Sequence, residues 1–340
     1  MTVADGMSEA ASREVTAHLV ARGLARAQTG LTVALLDGGV SNEVFAVTGP
    51  GVDVVVKRAL GRLRVETEWL ADTRRLQTEG RALRLAGELQ PGSVPGVLDL
   101  DEQFLVIERA PHDWLEWRTR LLAGVADPRI ARALGETLGG WQVRTAAAPA
   151  LVAGFADRTG FHQLRVNPFH RTVLRRHPEL AGPIEATIGQ MLDRQTCLVH
   201  GDYTPKNVLV PGDPAAAAAA RAGPALWVLD WEVAHLGDED FDPASMLTHL
   251  LIKTIHRPAS AGDFRACARS FLDGLHGAVG RAGQAHLIAQ IGCMLLARVD
   301  GKSPAKYLTP PQRDEVRELG RILLTRPPSG ALAIWEITVD

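Results

Sequence analysis

The sequence predicts an α+β protein of two unlike parts, a small β-rich part over residues 1–108 and a larger helical part over residues 109–340. Three observations carry this. Short β-rich runs bounded by Gly, Pro and Asp fill the first third. Beyond it, apolar residues recur at helical spacing. A length of 340 residues suits two domains or one bilobal unit.

A first helix is expected near Ser12 to Arg26. Leu31 to Leu36 then reads as a strand that ends at Asp37-Gly38-Gly39, and a second run covers Glu43 to Thr48. Gly49-Pro50-Gly51 is a turn signal, so Val54 to Lys57 closes a hairpin. Asp72 is placed to cap a helix whose apolar seam is Leu76, Leu83 and Ala86. Pro91 and Pro95 break that helix. Val97 to Leu100 and Phe104 to Ile107 form a further hairpin around Asp101-Glu102. Five strands in one antiparallel sheet, with a helix against it, are therefore expected before residue 109.

Helices follow. Asp127-Pro128 supplies a cap and a proline at the first helical position, with Ile130, Leu134, Leu138 and Trp141 on one face. Trp114 and Trp117 share that spacing and read as core. Further seams are Ile184/Ile188/Met191/Leu192, Phe264/Cys267/Phe271/Leu275, Leu287/Ile291/Met294/Leu295 and Val316/Leu319/Ile322/Leu323. Another helix is expected to start at Asp242-Pro243. One β excursion interrupts them, Val208 to Val210 and Leu226 to Leu229. The alanine-rich residues 214–220 between these runs read as a surface loop.

Composition removes several functions. Lys plus Arg is 37 and Asp plus Glu is 39, a formal net charge of −2, so the basic excess of a nucleic-acid binder is missing. A 46% hydrophobic and 22% charged chain is that of a folded protein. The longest apolar stretch, Leu287 to Ala297, is far below the ~20 residues of a membrane span, and the N-terminus lacks the apolar core of a secretory signal. Cys197, Cys267 and Cys293 are scattered among apolar neighbours, so buried, reduced thiols in a cytoplasmic protein are expected.

The chemistry concentrates in Leu198-Val-His-Gly-Asp-Tyr-Thr-Pro-Lys-Asn-Val-Leu-Val210. An apolar strand-like run enters a polar loop and another leaves it. Downstream, a further strand ends in Asp230-Trp231-Glu232. Phosphoryl transfer needs a carboxylate to take or orient the proton of the attacking hydroxyl, and oxygen ligands for Mg²⁺ beside the phosphates. Asp202 and Asn207 in one loop, with Asp230 at a strand end, supply both. Surface-turn capping is the alternative for an isolated Asp and Asn; the two apolar strands around them favour the chemistry. No Gly-x-x-x-x-Gly-Lys-Ser/Thr and no Gly-x-Gly-x-x-Gly run is present, which excludes a P-loop and a dinucleotide-binding turn.

His200-Gly201-Asp202 through Asn207, followed by Leu229-Asp230-Trp231-Glu232, resembles the aminoglycoside phosphotransferase and choline kinase superfamily, small-molecule kinases with a bilobal protein-kinase-like fold. Val56-Lys57-Arg58-Ala59-Leu60 and Asp37-Gly38-Gly39-Val40-Ser41-Asn42 are similar to methylthioribose kinases, which generally lack the Asn found here at 207. The resemblance implies an ATP- and Mg²⁺-dependent enzyme acting on a small-molecule hydroxyl. Asp202 would be the base, and Asn207 and Asp230 the metal ligands. Lys57 would hold the nucleotide phosphates, with Glu79 as its ion-pair partner ahead of Glu66, Glu68 and Glu88. Gly38, Gly39, Ser41 and Asn42 would form the nucleotide loop, and the backbone at Glu108 and Ala110 would meet the adenine. Arg298 is placed where a sugar-recognising residue stands in that family. Lys206 has equal claims to the transferred phosphate and to solvent. His200 reads as a support for the loop, and Asp242 as a helix cap that braces it. Arg165, Arg171, Arg175 and Arg176 form a basic group with either a substrate role or a solvated one. A catalytically silent nucleotide-binding protein and a hydrolase using Asp202 as nucleophile are the other classes this sequence could serve.

Overall fold

The computed structural model describes residues 9–36, 42–59, 74–213, 225–279 and 284–337. Helix α1 (Glu9–Ala21) precedes β1 (Thr32–Leu35), β2 (Asn42–Gly49) and β3 (Val52–Ala59). Helix α2 (Arg75–Leu89), β4 (Val97–Leu100) and β5 (Phe104–Glu108) follow. The five strands form one antiparallel sheet in the order β1-β2-β3-β5-β4.

Strand alternation gives the sheet two apolar faces. Val54 and Val56 of β3, with Phe104 and Val106 of β5, pack beneath Ala11, Val15 and Leu19 of α1. Leu105 and Ile107 face the other way, into the core shared with Leu76, Leu83 and Ala86 of α2. Lys57 lies between these sets in sequence, on the α2 side with Val55. Gly80 lets α2 approach β4: a Cβ there would stand 2.7 Å from Leu100 Cδ2. Asp72, expected to cap α2, lies outside the described residues, as does the alanine-rich loop 214–220.

The rest is mostly helical: α3 (Trp117–Leu122), α4 (Pro128–Ala147), α5 (Thr159–Phe161), a π-helical segment (His162–His170), α6 (Arg171–Arg176), α7 (Ala181–Asp193), α8 (Phe241–His256), α9 (Ala261–Val279), α10 (Ala285–Asp300), α11 (Pro310–Thr325) and α12 (Ile334–Ile337). Asp127 caps α4 as its sequence predicts, its side chain accepting from Arg129 N. No helix of the described residues is long and apolar enough to cross a membrane.

Three expectations change. The first helix stops at Ala21, and Gly23 turns the chain with φ of +72°. Trp114 does not share a helix with Trp117. It sits in β6 (Trp114–Glu116), which pairs with β8 (Val208–Pro211), itself paired with β9 (Trp227–Val228). A three-residue strand is too short for alternation to distinguish from a helix start. Helix α8 begins at Phe241, so Asp242 stands inside its first turn rather than capping it. The remaining strands, β7 (Cys197–Val199) and β10 (His235–Gly237), form a small antiparallel pair.

The sheet part and the helical part are locked at α2. Trp141 Nε1 donates to Ala86 O at 3.1 Å, Gln90 Nε2 donates to Thr137 O at 2.6 Å, and Val228 N donates to Ser93 O at 2.8 Å. Helices α4 and α9 cross where Gly135 faces the Phe271 carbonyl and Gly274 faces the Arg132 carbonyl. A Cβ at 135 would stand 2.1 Å from Phe271 O, and one at 274 would stand 2.4 Å from Arg132 O. The backbone cannot yield as a side-chain tip can.

Gly135→Ala should therefore cost ~1–3 kcal/mol by overpacking. Gly189→Ala, on the exposed face of α7 with nothing within 4 Å, should be neutral or stabilising by ~0.4–1 kcal/mol. Urea midpoints of the two variants check this; equal effects would refute the close crossing.

His170 is buried with Nε2 against Gln290 Oε1 at 2.9 Å, and burial holds it neutral, its pKa pushed down to about 4 from 6.5. Between those values the unfolded chain takes up protons that the folded chain refuses. This contribution is full above pH 6.5 and is lost as the pH falls toward 4. Urea unfolding of His170→Asn between pH 7 and 4 should show a shallower acid loss of stability than wild type, by up to about 1.4 kcal/mol per pH unit. Parallel curves would show that His170 is not held neutral.

Candidate active site

A cavity of about 790 Å³ lies between the sheet and the helices. Its wall brings together Lys57, Glu79, Glu108, Ala110, Asp202, Lys206, Asn207, Asp230 and Arg298. Gly38, Gly39 and Ser41 lie outside the described residues. Asn42 opens β2, and its side chain is not described.

Lys57 Nζ donates to Glu79 Oε1 at 2.6 Å, with both residues buried. Glu79 is thus the partner. Glu88, about two and a half turns further along α2, is exposed, and Glu66 and Glu68 lie outside the described residues. Burial alone would lower the Lys57 ammonium. The Glu79 carboxylate, and then Asp230, overcome that and raise it, so the lysine stays charged in the wall. An ammonium held this way is available to a second anion.

The loop after β7 is built around one carboxylate. Asp242 Oδ2 accepts from His200 N at 2.7 Å and Oδ1 accepts from Gly201 N at 2.9 Å. Gly201 takes φ of +81°, and a Cβ there would meet Val233 O at 2.9 Å. Asp202 N donates to His200 Nδ1 at 3.0 Å, so the ring proton sits on Nε2, which reaches Leu229 O at 2.9 Å. Burial pushes His200 down to about 4 and keeps that tautomer neutral. His200 therefore ties the Asp202 backbone to the residue before Asp230, which is the supporting role expected of it. Leu229 N in turn donates to Asn207 O at 2.8 Å.

Asp202 is held through a single oxygen. Asn207 Nδ2 donates to Asp202 Oδ2 at 2.7 Å, and Arg165 Nη2 pairs with the same oxygen at 2.9 Å. Asp202 Oδ1 has no partner among the described residues, so it can accept a proton or a hydroxyl hydrogen. Arg165 also donates from Nε to Gly201 O at 2.7 Å. Of the four arginines grouped by sequence, only Arg165 reaches this site; Arg171, Arg175 and Arg176 are exposed. The π-helical turn that selects Arg165 left no periodic signal.

Asp230 is the only non-glycine of the described residues with positive φ, at 68°. Aspartate tolerates this left-handed conformation better than most side chains. Its carboxyl would be raised by burial, but the positive charges of Lys57, Lys206 and Arg165 lower it, so it is ionised. Its neighbour Glu232 pairs with Arg75 Nε at 3.0 Å, both buried, which ties this strand end to the start of α2. Nothing in the spacing of Arg75 and Glu232 announces that pair.

Lys206 stands on the 3₁₀ turn Pro205–Asn207, half-buried in the same wall. Glu108 ends β5; its N–H donates to Gly96 O and its Oε2 accepts from Gly96 N, both at 2.9 Å. Trp114, read as core, instead lines the cavity and packs on Trp227 with ring centroids 5.5 Å apart. Arg298, on α10, donates from Nη1 to Ser303 Oγ at 3.2 Å and forms no ion pair with the described residues.

The donor set suits a hard cation. Asp230 offers an ionised carboxylate. Asn207 turns its Nδ2 to Asp202, and its Oδ1 accepts nothing from the described residues. Oxygen ligands from one carboxylate and one amide, with room for phosphate and water, are those Mg²⁺ takes.

Comparison with known proteins gives the family and the fold. No curated protein sequence matches the chain. An ethanolamine kinase from Plasmodium vivax superposes with a TM-score of 0.50 at 10% identity, over 98% of this chain and 91% of that one. A choline/ethanolamine kinase family protein from Mesorhizobium loti gives 0.47 at 16% identity, over 96% and 99%. A spectinomycin phosphotransferase, solved with ADP and spectinomycin, gives 0.49 at 10% identity, over 91% and 92%. None of these names narrows the chain to the methylthioribose branch. The phosphotransferase enzyme family model matches residues 32–280. That match runs from β1 through the His200–Asn207 loop and Asp230 to the end of α9, and the chain belongs to the phosphotransferase enzyme family.

Proposed function

We propose that the protein transfers the γ-phosphoryl group of ATP, with Mg²⁺, to a hydroxyl group of a small molecule. The observation that carries this is Asp202. Its Oδ2 is fixed by Asn207 and Arg165, and its Oδ1 is free in the cavity that also holds Lys57 and Asp230.

The roles follow from placement. Lys57, kept charged by Glu79, holds nucleotide phosphate oxygens. Asn207 Oδ1 and the Asp230 carboxylate are the groups that would hold Mg²⁺, which when bound offsets phosphate charge. Asp202 Oδ1 orients the acceptor hydroxyl and takes its proton as the oxygen bonds to phosphorus. Arg165 fixes the carboxylate from behind, and Lys206 adds positive charge beside Asp230. The backbone at Glu108 and Ala110, at the end of β5, borders the adenine. The remaining wall, with Arg298, is left for the acceptor.

Asp202→Asn should leave folding and nucleotide affinity nearly unchanged and lower turnover by ~10²-fold or more, the range for a positioned proton acceptor. Nucleotide turnover across a panel of hydroxyl compounds measures this. Activity within a few-fold of wild type would remove Asp202 from the chemistry. Asp230→Ala should weaken Mg²⁺-dependent nucleotide binding more than Asn207→Ala, because a carboxylate holds a hard cation better than an amide. Calorimetric titration of ATP with and without Mg²⁺ decides it; affinities that ignore the metal in wild type would rule out the metal site.

A further inference from the structure

The acceptor side of the cavity holds a cluster of three cations, Lys253, Arg298 and Arg118, with one acid, Glu116, paired among them in the described residues. Lys253 is completely buried on α8, yet it lines the cavity. It forms no ion pair with the described residues. Its Nζ donates only a long 3.4 Å bond to His249 O, one turn back on the same helix, and stands 5.9 Å above the Tyr307 ring. Arg298 from α10 and Arg118 from α3 complete the wall around it. Arg118 pairs with Glu116 at 2.7 Å, while Arg298 pairs with no acid of the described residues.

Three polar atoms at this place are buried with no hydrogen-bond partner among the described residues: Arg298 Nε, Tyr307 Oη and Thr248 Oγ1. All three can donate. Burying such groups unsatisfied costs about 1–3 kcal/mol each. An unpaired buried ammonium costs more. The other buried lysine of the described residues, Lys57, has its carboxylate at 2.6 Å. Lys253 is pushed down to about 7 by burial and by Arg298 and Arg118, the state of a cation whose counter-charge is missing. Burial also drives His249 well below its usual value, so it is a neutral neighbour and not a competitor for the anion.

We infer that Lys253, Arg298 and the Tyr307 hydroxyl form a seat for an anionic group of the acceptor, so that the substrate is an alcohol carrying a carboxylate or a phosphate. This rests on the kinase reading for the word acceptor; the anion seat itself does not. Lys253, Thr248 and His249 come from one helix, Arg298 from a second and Tyr307 from the segment after it, so their donors converge only in the folded protein. The seat borders Asp202, which shares the cavity wall with Arg298 and His249. An anion held there would leave its hydroxyl-bearing end toward Asp202 Oδ1.

The test uses the full chain and four molecules of one scaffold: glycerol, glycerate, glycerol 3-phosphate and 3-aminopropane-1,2-diol. Binding is measured calorimetrically without nucleotide or metal, so a failed kinase reading leaves the result intact. Glycerate, glycerol 3-phosphate or both should bind at least tenfold more tightly than the neutral and cationic members, and the arm that binds names the anion. Lys57→Ala should keep this preference, which separates the seat from the nucleotide end. Lys253→Met should abolish it. Because that change removes an unpaired buried charge, it should also raise the Tm of the free protein by ~2 °C or more. A structural role for Lys253 would lower the Tm instead. Tyr307→Phe is the milder companion and should weaken the anion several-fold with the Tm held. Equal binding of all four compounds, undetectable binding included, would overturn the proposal. So would a preference for the amine, or an anion preference that survives Lys253→Met or disappears in Lys57→Ala.

Discussion

The Asp242 carboxylate accepts from two consecutive backbone N–H groups, those of His200 and Gly201. It does so from inside the first turn of α8, in a place closed to water. Burial pushes its carboxyl up to about 7, and the two N–H donors work against that rise. The loop gains a fixed backbone, and the candidate site is hung on it. His200 carries the shape onward to Leu229, and Leu229 returns it to Asn207. Asp202, Asn207 and Asp230 are thus positioned by these backbone bonds together with the Asn207–Asp202 side-chain bond, and Asp202 Oδ1, Asn207 Oδ1 and the Asp230 carboxylate are left for other partners.

Charge is sorted along the cavity in the same spirit. At the sheet end every buried cation has an acid: Lys57 with Glu79, Arg75 with Glu232. Asp202 stands at the middle, facing Arg165. Beyond it the wall turns cationic, and the acids are absent except for Glu116, which Arg118 already engages. A substrate bridging these regions would meet a compensated end and an uncompensated one.

The sequence made the sheet legible because its strands alternate, and Val54 and Val56 parting from Val55 and Lys57 is that alternation seen in space. It made Asp202, Asn207 and Asp230 legible because a polar loop between two apolar strands is rare without a purpose. Gly80 is a poor helix residue that α2 keeps for its approach to Leu100. Other features leave no pattern. β6 is three residues long, so Trp114 read as a helical core residue. Arg75–Glu232 and the meeting of Lys253 with Arg298 and Tyr307 join residues far apart in the chain, and neither spacing nor composition encodes such a meeting. Asp242 was correctly tied to the loop and misplaced as a cap, because an Asp before Pro looks the same in either position.

The π-helical segment His162–His170 has one consequence for how this enzyme can change. A π turn holds one residue more than an α turn, and here Pro168, which has no N–H to give, sits inside it. The extra residue lets Leu164, Val166 and His170 stay buried while Arg165 swings to Asp202. Loss of a single codon in this stretch would restore an ordinary helix and rotate Arg165 by about 100°. The apolar residues around it could still find a core. Few events in a genome are as small, and this one would unfasten the Asp202 oxygen that Arg165 holds.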